Sequence, residues 1–112
     1  MVSRTPRQDD VWLVTLDPTR GAEIKKTRPC LIVSPDEMND LLQNAIVAPM
    51  TTTLRSYPTR VGTRFQGKSC EIALDQIRSV ARERFVRKLG VLPAGIATAV
   101  SATLVEMFGR ES

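Results

Sequence analysis

The sequence predicts a mainly β domain, five or six short strands in a small barrel followed by one C-terminal helix. Three observations carry that expectation. Short apolar runs of strand length recur along the chain, each bounded by Asp, Pro, Gly or Ser. The C-terminal segment repeats its apolar residues at helical spacing instead. With 112 residues, the chain from 1 to 112 has room for one domain and no second one. Apolar residues make up 42% and charged residues 25%, which sets the chain apart from a disordered tail.

The elements follow in order. Val11-Trp12-Leu13-Val14-Thr15-Leu16 reads as a first strand, ended by Asp17-Pro18, with Trp12 in the core. Thr19 to Thr27 holds Gly21, Arg20, Lys25 and Lys26 and reads as a mobile loop. Pro29 to Ser34 is apolar on both parities, as in a strand buried on both faces. Ser34-Pro35-Asp36-Glu37 resembles a capped helix start, with the helix running to about Leu42. Ala45 to Met50 is a third strand that leaves into Thr51-Thr52-Thr53. Around Tyr57-Pro58 and Gly62, turns and one short, poorly paired strand are expected. From Ser69 to Val80 the alternation slips: Cys70, Ile72 and Leu74 share one face and Ile77 takes the other. That implies a bulge or bend at Asp75-Gln76, as at a barrel corner. Val86 to Leu92 reads as a last edge strand. Pro93 then opens a helix whose Ile96, Val100, Leu104, Met107 and Phe108 form one stripe before Gly109.

Composition excludes several kinds of chemistry. The chain contains no histidine, and its two cysteines, Cys30 and Cys70, sit in separate apolar runs, so buried thiols are expected rather than a disulfide or a zinc site. Met1 to Asp10 lacks the apolar core of a signal peptide and no stretch is apolar enough to span a bilayer, so a cytoplasmic protein without a membrane partner is expected. The net charge of +4 is regional. Thr51 to Cys70 holds four cations (Arg55, Arg60, Arg64, Lys68) and no acid, whereas Pro35 to Met50 is net negative. Such a distribution fits an anion-binding face, with a solvated basic loop as the alternative.

Three blocks taken together resemble the MazF/PemK toxin family. The first is Val11 to Pro18, then Gly21-Ala22-Glu23 and Thr27-Arg28-Pro29-Cys30-Leu31-Ile32-Val33-Ser34. The second is Ala45-Ile46-Val47-Ala48-Pro49-Met50-Thr51 with Tyr57-Pro58, and the third is Leu74-Asp75-Gln76-Ile77-Arg78-Ser79-Val80. Asp9-Asp10 departs from the Gly-Asp or Gly-Glu common among relatives at strand entry. The resemblance implies an SH3-like barrel, usually a homodimer, that cuts single-stranded messenger RNA and is held in check by an antitoxin with an acidic, flexible tail.

The resemblance also implies that Arg28 and Thr51 are the catalytic pair and makes Glu23, in the Gly-x-Glu loop, a possible base. No cofactor or metal is expected, because RNA carries its own nucleophile, the 2'-hydroxyl. The protein then has to supply donors for phosphate charge and a route for two protons. Arg28 presents a planar fork where a cationic loop meets a strand, and its pKa suits charge stabilisation rather than base catalysis. A surface ion pair for Arg28 and a turn-capping hydroxyl for Thr51 are the plainer readings. Lys25, Lys26, Thr52, Arg55, Arg60 and Arg64 are candidate RNA contacts, with Tyr57 and Phe65 stacking bases or packing in the core. Asp75, Gln76 and Arg78 either read base edges or brace the loops. A gyrase-directed toxin on the same fold is a rival, but its Trp-Gly-Ile ending is replaced here by Phe108-Gly109-Arg110-Glu111-Ser112. A catalytically silent RNA-binding barrel is the other rival.

Overall fold

The computed structural model describes residues 5–18 and 20–110. Thr19 of the expected loop and Glu111-Ser112 of the ending lie outside the described residues, as do Met1 to Arg4 of the charged start. The strands are β1 (Asp10–Thr15), β2 (Thr27–Ile32), β3 (Asn44–Thr51), β4 (Arg60–Phe65), β5 (Lys68–Ala73), β6 (Arg78–Ala81) and β7 (Phe85–Val91). The helices are α1 (Asp36–Leu41) and α2 (Ala94–Phe108). All pairings are antiparallel, in the order β4-β5-β3-β2-β1-β7, with β6 also on β3. The sheet curls into a half-barrel, and β4 and β7 remain its edges. The mainly β class and the terminal helix agree with expectation; the strand count is seven, because β5 and β6 are separate.

Alternation explains the core. Val11, Leu31, Ala48, Met50, Ile72 and Val100 of α2 are buried together on one face. Trp12, Val14, Cys30, Ile32, Val47 and Val80 are buried on the other. The Cys30-Leu31-Ile32 half of β2 is therefore covered on both sides, as its apolar run requires. Both cysteines are free and buried, and burial pushes the Cys30 thiol up to about 12, so it is no nucleophile near neutrality.

Three expectations are corrected and one is resolved. Ser34 does not cap α1; Pro35 holds that position, while the Ser34 hydroxyl donates to Asn39 Oδ1 at 2.6 Å and accepts the Ile46 N–H at 2.9 Å. A buried serine satisfies a buried asparagine in preference to a helix end. The region after Pro58 is not poorly paired: all six residues of β4 align with β5, because the two-residue turn Gln66-Gly67, with φ of 51° and 79°, closes a tight hairpin. Of the bulge or bend expected at Asp75-Gln76, the structure has the bend, a 3-10 turn at Leu74–Gln76 that parts β5 from β6 while both stay on β3. Phe108 is 64% exposed and leaves the packed stripe, which Ile96, Val100, Leu104 and Met107 do form.

Candidate functional site

The cleft begins with strand register. β2 and β3 pair as Cys30↔Pro49, Leu31↔Ala48 and Ile32↔Val47, and continuing this register brings Arg28 opposite Thr51. Neither Pro29 nor Pro49 has an N–H to extend the ladder, so the strands part at that point. Thr51 in turn lies opposite Glu71, and Glu71 opposite Gly62. Arg28, Thr51 and Glu71 thus occupy one row across three strands, on the face away from α2.

Around this row lies an open cleft of about 470 Å³ lined by Arg28, Thr51, Arg55, Tyr57, Arg60, Asp75 and Gln76, with Ala22, Ile24 and Thr53. Seven of the residues singled out by sequence therefore meet in one place. The Arg28 Nε donates to the Lys25 carbonyl at 2.9 Å, which holds the guanidinium while leaving its terminal nitrogens to face the cleft's contents. The Thr51 hydroxyl accepts the Thr53 N–H at 3.1 Å. That is the turn-capping contact, and it leaves the hydroxyl proton available to a ligand. Arg28 and Arg55 form no salt bridge among the described residues.

Arg60 behaves differently from the phosphate-binding cation expected of it. Its Nε and Nη2 donate to Asp75 at 2.6 and 3.2 Å, its Nη1 donates to Glu71 at 3.3 Å, and its side chain is 6% exposed. The guanidinium also lies 5.0 Å from the Tyr57 ring centroid. Glu71, which sequence reasoning passed over, is the hub. It accepts the N–H groups of Arg55 and Ser56, each at 2.9 Å, as well as Arg60. Those backbone donors, Arg55 first, hold its carboxyl below the usual range despite burial. Asp75 is also held low: burial works to raise it, but hydrogen bonds from Arg60 and Thr59 prevail. The signal for Glu71 was visible as a lone acid between Cys70 and Ile72 in an apolar strand.

The remaining candidates, and the Gln76 amide, make other contacts. Glu23 does not line the cleft; its carboxylate accepts the Arg20 N–H at 2.6 Å and it borders a neighbouring pocket with Arg78. Gln76 accepts the Ile24 N–H at 2.7 Å and Arg78 donates to the Leu16 carbonyl at 3.1 Å, so both brace the β1–β2 loop. Lys25 and Lys26 are exposed on that loop. Arg64 folds back on Gly67 and Ser69 at the β4–β5 hairpin. Thr52 and Phe65 line a second pocket with Arg28 and Thr51. Among the described residues no group of three or more His, Cys, Asp or Glu could hold a metal ion, and no helix is long and apolar enough to cross a membrane.

A half-barrel with a terminal helix and a cation-lined cleft defines a small β domain suited to an anionic ligand, and comparison with known proteins makes the class specific. The family of PemK-like, MazF-like toxins of type II toxin-antitoxin systems matches residues 7–108, so the chain belongs to that family. It is 34% identical to the endoribonuclease toxin MazF of Escherichia coli over 94 residues, covering 82% of this chain and 85% of that protein. It is also 34% identical to endoribonuclease MazF9 of Mycobacterium tuberculosis over 98 residues, covering 79% and 83%. The crystal structure of MazF from Deinococcus radiodurans superimposes with a TM-score of 0.85 at 25% identity, over 96% of this chain and 100% of that one. MazF in a MazE-MazF structure from the same organism gives 0.79 at 25% identity, over 97% and 100%.

Proposed function

We propose that the protein is a metal-independent endoribonuclease toxin that cuts single-stranded mRNA at specific sequences. The observation that carries this reading is the placement of Arg28 beside Thr51 in an open cleft whose cations, Arg28 and Arg55, have no internal carboxylate partner among the described residues. The RNA 2'-oxygen attacks the adjacent phosphorus as its proton is removed. The bond to the 5'-oxygen breaks, that oxygen takes up a proton, and the products carry a 2',3'-cyclic phosphate and a 5'-hydroxyl. Terminal Arg28 nitrogens neutralise the charge that builds on the phosphate, and the Thr51 hydroxyl donates one further hydrogen bond. The carboxylate bordering this cleft is Asp75 rather than Glu23. A carboxylate held ionised by Arg60 is a weak base, so charge stabilisation carries most of the rate.

Arg55 and the loop cations Lys25 and Lys26 attract the RNA backbone, and the half-exposed Tyr57 ring offers a stacking surface. The same basic face fits the acidic, flexible tail of a cognate antitoxin, which would occupy the cleft and exclude RNA. The reading includes a homodimer in the cytoplasm. The decisive test is an oligonucleotide with one 2'-deoxy substitution just 5' of the cut. It should bind and stay intact, while excess EDTA should leave cleavage of ordinary RNA undiminished. Cleavage of the deoxy substrate, or activity lost in EDTA and restored by magnesium, would mean that water attacks with metal help.

A further inference from the structure

The Arg28–Thr51 pair has pockets on two sides. The main cleft lies toward Tyr57 and Asp75, and a second pocket of about 220 Å³ lies toward the β4–β5 hairpin. Arg28 and Thr51 line both, and the two pockets have no other lining residue in common. We infer that the second pocket is a nucleotide subsite holding the base on the opposite side of the cut from the base in the main cleft, and that Gln66 selects that base. The inference rests on the endoribonuclease reading. An internal cut requires a nucleotide on each side of the reacting phosphate, and a phosphate between Arg28 and Thr51 leaves one pocket for each.

The second pocket is built for a flat, partly apolar ligand. Buried Met50 and Cys70 form its floor with Pro29, and half-buried Phe65 forms a wall. The Phe65 ring packs against the α2-side core and lies over Gly90, where a Cβ would stand 3.6 Å from it, and its half-buried state leaves part of the ring free to stack. Gln66 and Gly67 make the tight hairpin turn, which fixes where Gln66 projects. The exposed Gln66 carboxamide has no hydrogen-bond partner among the described residues and offers both a donor and an acceptor, as reading a base edge requires. Exposed Lys68 stands at the rim and forms no salt bridge among the described residues, and no carboxylate lines the pocket. The main cleft, by contrast, includes Asp75. At less than half the volume of the main cleft, the pocket suits a single base.

The test uses the wild-type cut sequence in RNA blocked by a 2'-deoxy residue, with 5-iodouridine at one flanking nucleotide and then at the other. On irradiation one position should crosslink to Phe65 and the other to Tyr57; absence of any Phe65 crosslink from either position overturns the inference. Mapping of cut sites in a random RNA pool is the second arm. Gln66→Ala should relax the base preference at the position that crosslinks to Phe65 and leave the preference across the cut intact. Phe65→Leu, which keeps an apolar side chain against the core, should raise KM about tenfold through the lost stack. Wild-type cutting with the Gln66→Ala preference unchanged removes the subsite alone. A wild-type protein that cuts no RNA removes the endoribonuclease reading and the subsite with it.

Discussion

Arg28 and Arg60 are the same residue type on the walls of the same cleft, yet they live in opposite electrostatic settings. The Arg28 guanidinium donates to a backbone carbonyl and forms no salt bridge among the described residues. Arg60 is buried between two carboxylates, and the resulting network ties β4, β5 and the 3-10 turn to the 52–59 loop. The contrast shows how one local charge excess divides into a binding part and a structural part. Arg60 fixes the wall, whereas Arg28 and Arg55 are left to meet an anion. Net charge alone overstates how many cations are left unpaired.

Substitutions can break that comparison, beginning with the largest effect. Arg28→Ala should lower the cleavage rate by about 10²–10³ while the thermal midpoint stays near wild type, because a charge-stabilising donor is lost and no core contact is. Near wild-type cleavage would remove Arg28 from the site. Arg60→Ala should do the reverse. It should destabilise the fold by about 3 kcal/mol, since two carboxylates lose their cation, and leave the salt dependence of RNA binding unchanged. A flatter salt dependence with an unchanged melting midpoint would return Arg60 to the phosphate-binding set.

Smaller effects sharpen the distinction. Thr51→Ala should slow cleavage about tenfold through one lost hydrogen bond, with Thr51→Ser restoring it. Unfolding of the alanine variant would make the hydroxyl structural. Arg55→Ala should reduce the salt slope of binding to uncleavable RNA by about 0.7, one phosphate contact on a single strand, with no loss of stability. The network also sets an acid limit. Native Glu71 and Asp75 are held below their ordinary values of 4.5 and 3.8, so their stabilisation is present above those values and is lost as pH falls through the native ones. Melting midpoints should therefore drop below about pH 4, and the drop should be smaller in Glu71→Gln.

Much of the molecule was legible from local pattern. The two-sided apolar run at Pro29 to Ser34, the helical stripe after Pro93 and the break at Asp75-Gln76 each reflect a short-range periodicity that the backbone must obey. The Arg28-Pro29 and Thr51 blocks likewise marked the residues that meet in the cleft. Pairing partners were not legible, because they depend on chain segments far apart. The strand near Gly62 was expected to be short and poorly paired, yet its turn and its partner strand make it fully paired. Glu23 belonged to a suggestive loop, but the path of that loop sets it outside the cleft.

Sequence by itself determined the class of fold, the family and the regional basic charge, since all three are written in local order and composition. Only the tertiary structure decided which charges are free. A carboxylate and a guanidinium attract over a few ångströms; the β4–β5 register brought Glu71, and the 3-10 turn after β5 brought Asp75, that close to Arg60, while Arg28 shares the cleft wall with the Thr51 hydroxyl.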